Sequence, residues 1–425
     1  MIPVLDLQRQ EQGIRGEIDS ALTRVVRSGR FILGAEVEAF ERAFAEYCGV
    51  RFCIGVGSGT EALQIALRAC GIGPGDEVVT VSLTSVATVA AIELAGARPV
   101  PVDVGPDRLT MDPDSAAAAL SAKTRAILPV HLHGRPAELA PLLELAVSKG
   151  IPLIEDCAHA HGGRWRNKGA GATGDIGCFS FQSSKLMTSG EGGGIITSNL
   201  EYYERAQSYV NCGRASVTDT FRHRMIGFNY RITEFQAAVL EAQLERLPQQ
   251  AKTRQANMNH FEKRLHGTPG LSFLKRDKRN TRVAAYQFVF KYLPEHFGGV
   301  PRAAFLGALE MEGIPCDGLF YEPVYRSALF PVDAAECPAL SWGRPEPLDL
   351  RSMYRCPVSE RAAYEEAVWL PHHIFLGTQK DAAEIADAVL KVTENIDELR
   401  ALAHPAIERK GMSRAERPRV EKRQW

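Results

Sequence analysis

The chain lacks net charge, a long uncharged apolar run, a paired-cysteine motif and an internal repeat. Each absence removes a class of function. With 50 basic against 51 acidic residues, a formal charge of -1 leaves no global field to draw in nucleic acid or an anionic membrane. No helix-turn-helix pattern or basic face stands out either. The longest charge-free apolar region, Val78 to Ile92, falls short of the ~18 residues a membrane span needs and contains serine and threonine. The stretch MIPVLDLQRQEQ meets Asp6 before any apolar signal core has formed. The expectation is a cytoplasmic protein with no nucleic-acid or membrane partner. Nine cysteines (48, 53, 70, 157, 178, 212, 316, 337 and 356) make an odd set with no C-x-x-C, and most sit in apolar stretches such as LIEDCA. Reduced, buried thiols follow.

What is present is the composition of an ordinary globular protein, 45% hydrophobic and 24% charged over 425 residues, enough for two or three domains. Between residues 50 and 200, short β-rich runs (RFCIGV, DEVVTVS, ARPVPVDV, RAILPVHL, IPLIEDC, DIGCFSF, GGIITS) alternate with segments of helical spacing. That alternation predicts an α/β fold with a mostly parallel sheet flanked by helices. A long helical stretch from Ile232 to Leu265, broken near Pro248, leads to a smaller α+β region. There, TRVAAYQFVFKYL reads as a strand, PRAAFLGALEMEG as a helix and DAAEIADAVLKVTENIDELRALA as a closing helix. The expected division is a large α/β domain over 1–250 with its N-terminal segment, a small α+β domain over 251–405 and a flexible basic tail over 406–425.

Three stretches carry chemistry. In GVGSGTEAL (55–63) a strand ends in small residues just before a helix, so free backbone N–H groups and the helix dipole converge where a phosphate could sit. Simple capping by Ser58 or Thr60 accounts for the same pattern. IPLIEDCAHAHGG (151–163) delivers Glu155 and Asp156 to the carboxyl end of a buried strand, where open α/β sheets bind ligands, and His159 and His161 follow. Two histidines beside a carboxylate also suggest a metal, but no third or fourth convergent ligand presents itself, so none is expected. FSFQSSKLMTSGEGGG (179–194) carries Lys185 out of an apolar strand. A partly desolvated lysine near other positive charge gives up its proton and can attack a carbonyl. Phosphate cradle, buried aspartate and nucleophilic lysine are the three attachments of pyridoxal 5'-phosphate.

With GFNYRITEFQAAVL (227–240) added, these blocks stand in an order that resembles the DegT/DnrJ/EryC1/StrS family of pyridoxal-phosphate aminotransferases, over roughly residues 3 to 400. The resemblance implies a fold-type I transferase whose homodimer shares its active sites. It implies Lys185 as the Schiff-base lysine and proton carrier, Asp156 on the pyridine nitrogen and His159 beside the cofactor's phenolic oxygen. Gly59, Thr60 and Ser180 would hold the phosphate, and Asn229 would reach the neighbouring subunit's phosphate, with Arg231 a weaker candidate there. One block departs from the family pattern. VSLTSVATVAA (81–91) offers Leu83, Thr84 and Ser85 where many relatives carry an aromatic or histidine over the ring.

The implied reaction passes nitrogen from glutamine or glutamate, through the pyridoxamine 5'-phosphate form, to a cyclic ketone. LFYEPVYRSALF (319–330) and CPVSERAAYEEAVWLPHHIFLG (356–377) resemble the scyllo-inosose aminotransferase and aminohydroxybenzoate synthase branch, with Tyr321, Tyr325, His372 and His373 as candidate substrate contacts. Such products belong to aminocyclitol or aminosugar antibiotic assembly. The alternatives are a nucleotide-linked keto-sugar as acceptor, a ring dehydratase or aromatising synthase, and a cofactor-binding regulator.

Overall fold

The computed structural model describes residues 13–215, 221–330 and 349–402. Cys337 and the tail from 406 lie outside them. The first strands follow the sequence pattern closely: β1 (Phe52–Val56), β2 (Glu77–Val81), β3 (Arg98–Val102), β4 (Thr124–Leu128) and β5 (Ile154–Asp156). A two-strand hairpin, β6 (Arg164–Trp165) and β7 (Lys168–Gly169), precedes β8 (Ile176–Ser180) and β9 (Gly193–Thr197).

Strands β1-β9-β8-β5 form one sheet and β3-β2-β4 another, and parallel bridges Ile127–Leu153 and Val130–Asp156 join β4 to β5. The result is a continuous sheet in the order β1-β9-β8-β5-β4-β2-β3, in which only β9 runs against its neighbours. Helices cover both faces, so β2, β8 and β9 are buried at every position rather than alternating between buried and exposed. The helix Gly59–Ala69 is buried over most of its circumference, well beyond the Leu63–Leu67 face that spacing alone suggests.

A second sheet is antiparallel, in the order β10 (Leu271–Phe273), β12 (Gln287–Tyr292), β13 (Ala367–Pro371). It packs on the helices Arg302–Met311 and Gln379–Glu394 around Phe261, Phe288, Phe290, Phe305 and Phe375. β11 (Asn280–Arg282) leaves this sheet and pairs with β6. The run TRVAAYQFVFKYL is therefore two strands. Ala285, at φ 64, turns the chain between them, and Tyr286 lies so close to Gly134 that a Cβ there would sit 2.7 Å from its amide nitrogen.

Two expectations of helix continuity are corrected. The helix Glu234–Leu265 runs unbroken for 32 residues with Pro248 inside it. Proline there removes one hydrogen bond and crowds the preceding turn, a cost of ~3 kcal/mol. Burial of Leu240, Leu244, Leu247, Ala251, Met258 and Phe261 outweighs it. The closing helix, by contrast, is interrupted at Asn395 (φ -106, ψ 25), so Gln379–Glu394 and Ile396–Leu402 are separate.

Candidate active site

The carboxyl ends of β5 and β8 open onto a cavity of about 1440 Å³ that reaches up to the antiparallel sheet. Lys185, Asp156, His159, Gly59, Thr60, Ser85, Ser180, Tyr321, His372 and His373 all line it. Tyr325 and Asn229 do not.

Lys185 sits on a turn held by its neighbour Gln182, whose side chain accepts from Ser184 N (2.8 Å) and Ser184 Oγ (2.7 Å), while Lys185 N donates to Gln182 O (2.9 Å). The Lys185 Nζ lies 5.0 Å from the centre of the Tyr286 ring. Burial pushes its ammonium down to about 8, against the pull of Asp156, which favours the charged form. Of the two influences expected from the sequence, desolvation is the one that lowers this amine; the charged neighbour acting on it is Asp156, not a cation.

Asp156 ends β5 with its carboxylate accepting from Ala158 N (3.0 Å) and Thr88 Oγ1 (3.1 Å). Burial raises its pKa, and those two donors together with Lys185 pull the other way. His159 lies between aromatic neighbours: Tyr286 at 4.1 Å between ring centres, and Tyr321, whose hydroxyl is 3.2 Å from His159 Nε2. Burial, then Lys185, His133 and His161, hold the His159 imidazole well below the usual histidine range, so it is neutral. Its Nδ1 is a buried polar atom with no protein hydrogen bond. His161 belongs to the core, its ring 5.4 Å from Phe179 and 5.6 Å from Phe181 and its pKa pushed down to about 3 by burial.

At the sheet's end, Ser58 caps the helix Gly59–Ala69, its Oγ accepting from Glu61 N (3.2 Å). The capping and phosphate readings therefore coexist, because the N–H groups of Gly59 and Thr60 lie in the first turn and have no intrahelical acceptor. Ser180 comes against this helix end from β8. A Cβ on Gly59 would lie 2.6 Å from Ser180 Cβ, and one on Gly193 would strike the Ser58 carbonyl. The cradle is thus built from backbone that tolerates no added side chain. It offers hydroxyl and N–H donors and a helix N-terminus, the donor set a phosphate requires.

The 81–91 segment resolves differently from a ring-stacking platform. Leu83 is fully buried and bridges Pro323, Ser85 caps the helix Val86–Leu94, and Thr84 and Thr88 line the cavity. Ser85 also bonds the Tyr321 hydroxyl. Tyr325 points away from the cavity: its hydroxyl donates to Glu360 Oε1 (2.6 Å) and accepts from Cys356 N (2.8 Å). His372 Nε2 lies 3.3 Å from Ser184 O. Asn229 is exposed, on a strand-like segment paired with Asn211, and Arg231 donates to Asn211 Oδ1 (2.8 Å).

Sequence reading missed Thr88 and Tyr286. Thr88 lies in the first turn of the helix Val86–Leu94 and Thr84 just before its Ser85 cap, so the pairing of their hydroxyls depends on how the chain enters the helix rather than on spacing along it. Tyr286 has no local signal, because only the docking of the antiparallel sheet brings it to Lys185.

His131, Glu155 and Cys157 cluster closely enough to suggest a metal. Their hydrogen bonds argue otherwise. His131 Nδ1 accepts from Ala137 N (3.0 Å), so Nε2 carries the proton given to Glu155 (2.7 Å). Glu155 also accepts from the amides of Gly171 (3.0 Å) and Thr173 (2.9 Å), which fixes the loop before β8.

A desolvated lysine, a buried carboxylate and a backbone phosphate cradle at one end of a mostly parallel sheet define a fold-type I pyridoxal-phosphate enzyme. Comparison with known proteins agrees: the model of the DegT/DnrJ/EryC1/StrS aminotransferase family matches residues 12–390, and the chain belongs to that family. It is 42% identical over 369 residues to a putative L-glutamine:3-amino-2,3-dideoxy-scyllo-inosose aminotransferase of Streptoalloteichus tenebrarius, covering 84% of this chain and 88% of that one. It is 42% identical over 271 residues to the dTDP-3-amino-3,4,6-trideoxy-alpha-D-glucose transaminase of Streptomyces venezuelae, covering 64% and 71%. Among solved structures, S. venezuelae DesV in complex with a ketimine intermediate superposes with a TM-score of 0.81 at 34% identity, covering 93% of this chain and 99% of that one. The chain is an aminotransferase that uses pyridoxal 5'-phosphate.

Proposed function

We propose that this aminotransferase moves an amino group from glutamine or glutamate to a keto-cyclitol of the scyllo-inosose type, in aminocyclitol antibiotic assembly. Bound pyridoxal phosphate supplies an aldehyde to hold the nitrogen and a ring to take up electrons. Gly59, Thr60 and Ser180 would hold its phosphate. Asp156 would keep a proton on the ring nitrogen, and His159 would serve the phenolic oxygen. Lys185 Nζ would hold the aldehyde, and as a free amine it would take up the proton of the donor's α-carbon and give it back within the site. With the ketone the same amine would act in the reverse sense.

The observation that favours a cyclitol over a nucleotide-linked sugar is the charge of the outer cavity. Glu191, Glu310, Asp317 and Glu365 line it. Arg302, the cation beside them, gives its guanidinium to the carbonyls of Ala362 (3.3 Å), Ala363 (2.8 Å) and Ala367 (2.8 Å). A diphosphate would meet like charge there, whereas a neutral or aminated polyol finds hydrogen-bond partners. Tyr321, His372 and His373 are the proposed ring contacts.

The family resemblance also supports a homodimer with Asn229 serving the partner's phosphate site, and its exposed position beside the exposed Phe221 and Ile226 agrees with that reading. We read the chain as dividing near residue 250 into a cofactor-binding body and a smaller substrate-facing one. We read the chain as acting in the cytoplasm; among the described residues no helix is long and apolar enough to cross a membrane. Titrating the pyridoxamine form with keto-cyclitols and nucleotide keto-sugars tests the acceptor directly.

A further inference from the structure

The hydroxyls of Thr84 and Thr88 lie 3.0 Å apart, and Thr88 Oγ1 lies 3.1 Å from Asp156 Oδ2. Proton counting gives this chain a direction. An ionised carboxylate only accepts, so the single hydroxyl proton of Thr88 goes to Asp156. Thr84 must then donate to Thr88. Both threonines are buried, at 2% and 0% exposure, so no bulk water competes for these bonds. Thr88 lies in the first turn of a nine-residue helix whose positive end also favours a carboxylate. On the other oxygen, Asp156 accepts from Ala158 N (3.0 Å). Each carboxylate oxygen therefore has one fixed donor, which sets the plane of the group.

We infer that Thr88, backed by Thr84, is a positioning residue for the aminotransferase reaction: the ordered hydroxyl pair keeps Asp156 ionised and oriented toward the cofactor's ring nitrogen. The inference rests on the reading of Asp156 as that nitrogen's partner. It gives the segment 81–91 a task other than ring stacking, which its residues are unable to perform. A buried carboxylate without such donors drifts toward the neutral acid. The neutral acid would leave the ring nitrogen unprotonated and the ring a poorer acceptor of electrons.

The other groups acting on or around Asp156 are Lys185, which favours its charge, the His131 imidazole, whose Nε2 proton goes to Glu155, the thiols of Cys157 and Cys178, and the Tyr321 hydroxyl. Burial raises both thiols well above the ordinary range, and Tyr321 likewise, so all three stay neutral around neutral pH and add no charge that would titrate with the carboxylate.

The test follows Asp156 by carboxyl-carbon NMR in cofactor-free protein labelled at aspartate, with Asp156→Asn for assignment. It also follows ring-nitrogen NMR of the protein loaded with nitrogen-labelled pyridoxal phosphate. In Thr88→Val the Asp156 midpoint should rise by about one pH unit, the loss of one hydrogen bond to a charged group. The ring-nitrogen signal should move toward its unprotonated position, and kcat should fall more than KM for the amino donor. Thr88→Ser should restore all three. Thr84→Val, which spares the bond to Asp156 but removes the donor that polarises the Thr88 hydroxyl, should shift both signals the same way by less, and it stands in if Thr88→Val does not fold. An unchanged Asp156 midpoint and ring-nitrogen signal in a folded variant overturns the inference. An unprotonated ring nitrogen in the unmodified protein would instead refute the role given to Asp156, while the carboxyl titration would still judge the relay.

Discussion

Gly59 and Ser180 meet where the helix after β1 touches the end of β8, and a single methyl group on Gly59 would lie 2.6 Å from Ser180 Cβ and 3.1 Å from its Cα. Backbone, not the tip of a flexible side chain, would have to move. Gly59→Ala should therefore cost ~1–3 kcal/mol of stability, the usual range for overpacking. It should also weaken cofactor binding at least tenfold, because the displaced atoms are the phosphate donors. Urea unfolding and a cofactor titration read the two effects separately, and unchanged cofactor affinity would remove Gly59 from the cradle.

Lys185 makes a prediction with a sign. Its ammonium is pushed down to about 8 by burial, and only the neutral amine captures the aldehyde. Capture of pyridoxal phosphate by cofactor-free protein should speed up as pH rises toward 8 and level off above it. A midpoint near the ordinary lysine value of 10.5 would mean that burial is not controlling the amine. Lys185→Ala should lose the visible absorbance of the bound cofactor and the half-reaction with glutamine, and retention of both would sink the assignment.

Much of this site is legible in the chain, and the reason is locality. The strand ends at Asp156 and Ser180, the helix start at Gly59 and the lysine turn each lie within a short stretch whose composition announces it. What was not legible depends on docking between distant segments. Tyr286 reaches Lys185 only because Ala285 turns the chain beneath Gly134. Tyr325, close in sequence to Tyr321, points elsewhere because the 3-10 turn Val324–Arg326 carries it to Glu360. The β6–β7 hairpin escaped notice since its turn is Arg166–Asn167, both at positive φ (47 and 65), and arginine is not a usual residue there. Pro248 misled for the opposite reason: a strong local signal was overridden by a buried helix face.

The two tyrosines should separate in experiment. Tyr325→Phe removes a hydroxyl bonded to Glu360 and Cys356, so it should lower stability by ~1–2 kcal/mol and leave KM for the ketone unchanged. Tyr321→Phe removes the hydroxyl beside His159, so it should lower stability by a similar ~1–2 kcal/mol but, unlike Tyr325→Phe, raise KM for the ketone. The reverse pattern would exchange their roles.

Asn229 tests the shared site. Asn229→Ala should weaken cofactor retention, and Lys185→Ala should be inactive alone. A mixed dimer then contains one site with an intact lysine and the intact asparagine of the other subunit. Mixing should restore up to half of the activity per dimer. No recovery in verified mixed dimers would place Asn229 outside the neighbouring site.

The destination of the nitrogen is read by one mixing experiment. The pyridoxamine form, mixed rapidly with each acceptor, returns to the pyridoxal spectrum only when the ketone takes the amine. Return should be fast with scyllo-inosose-type ketones and slow with nucleotide-linked keto-sugars, whose diphosphate meets the carboxylates of Glu191, Glu310, Asp317 and Glu365. Faster return with a nucleotide keto-sugar than with every keto-cyclitol would contradict a cyclitol destination.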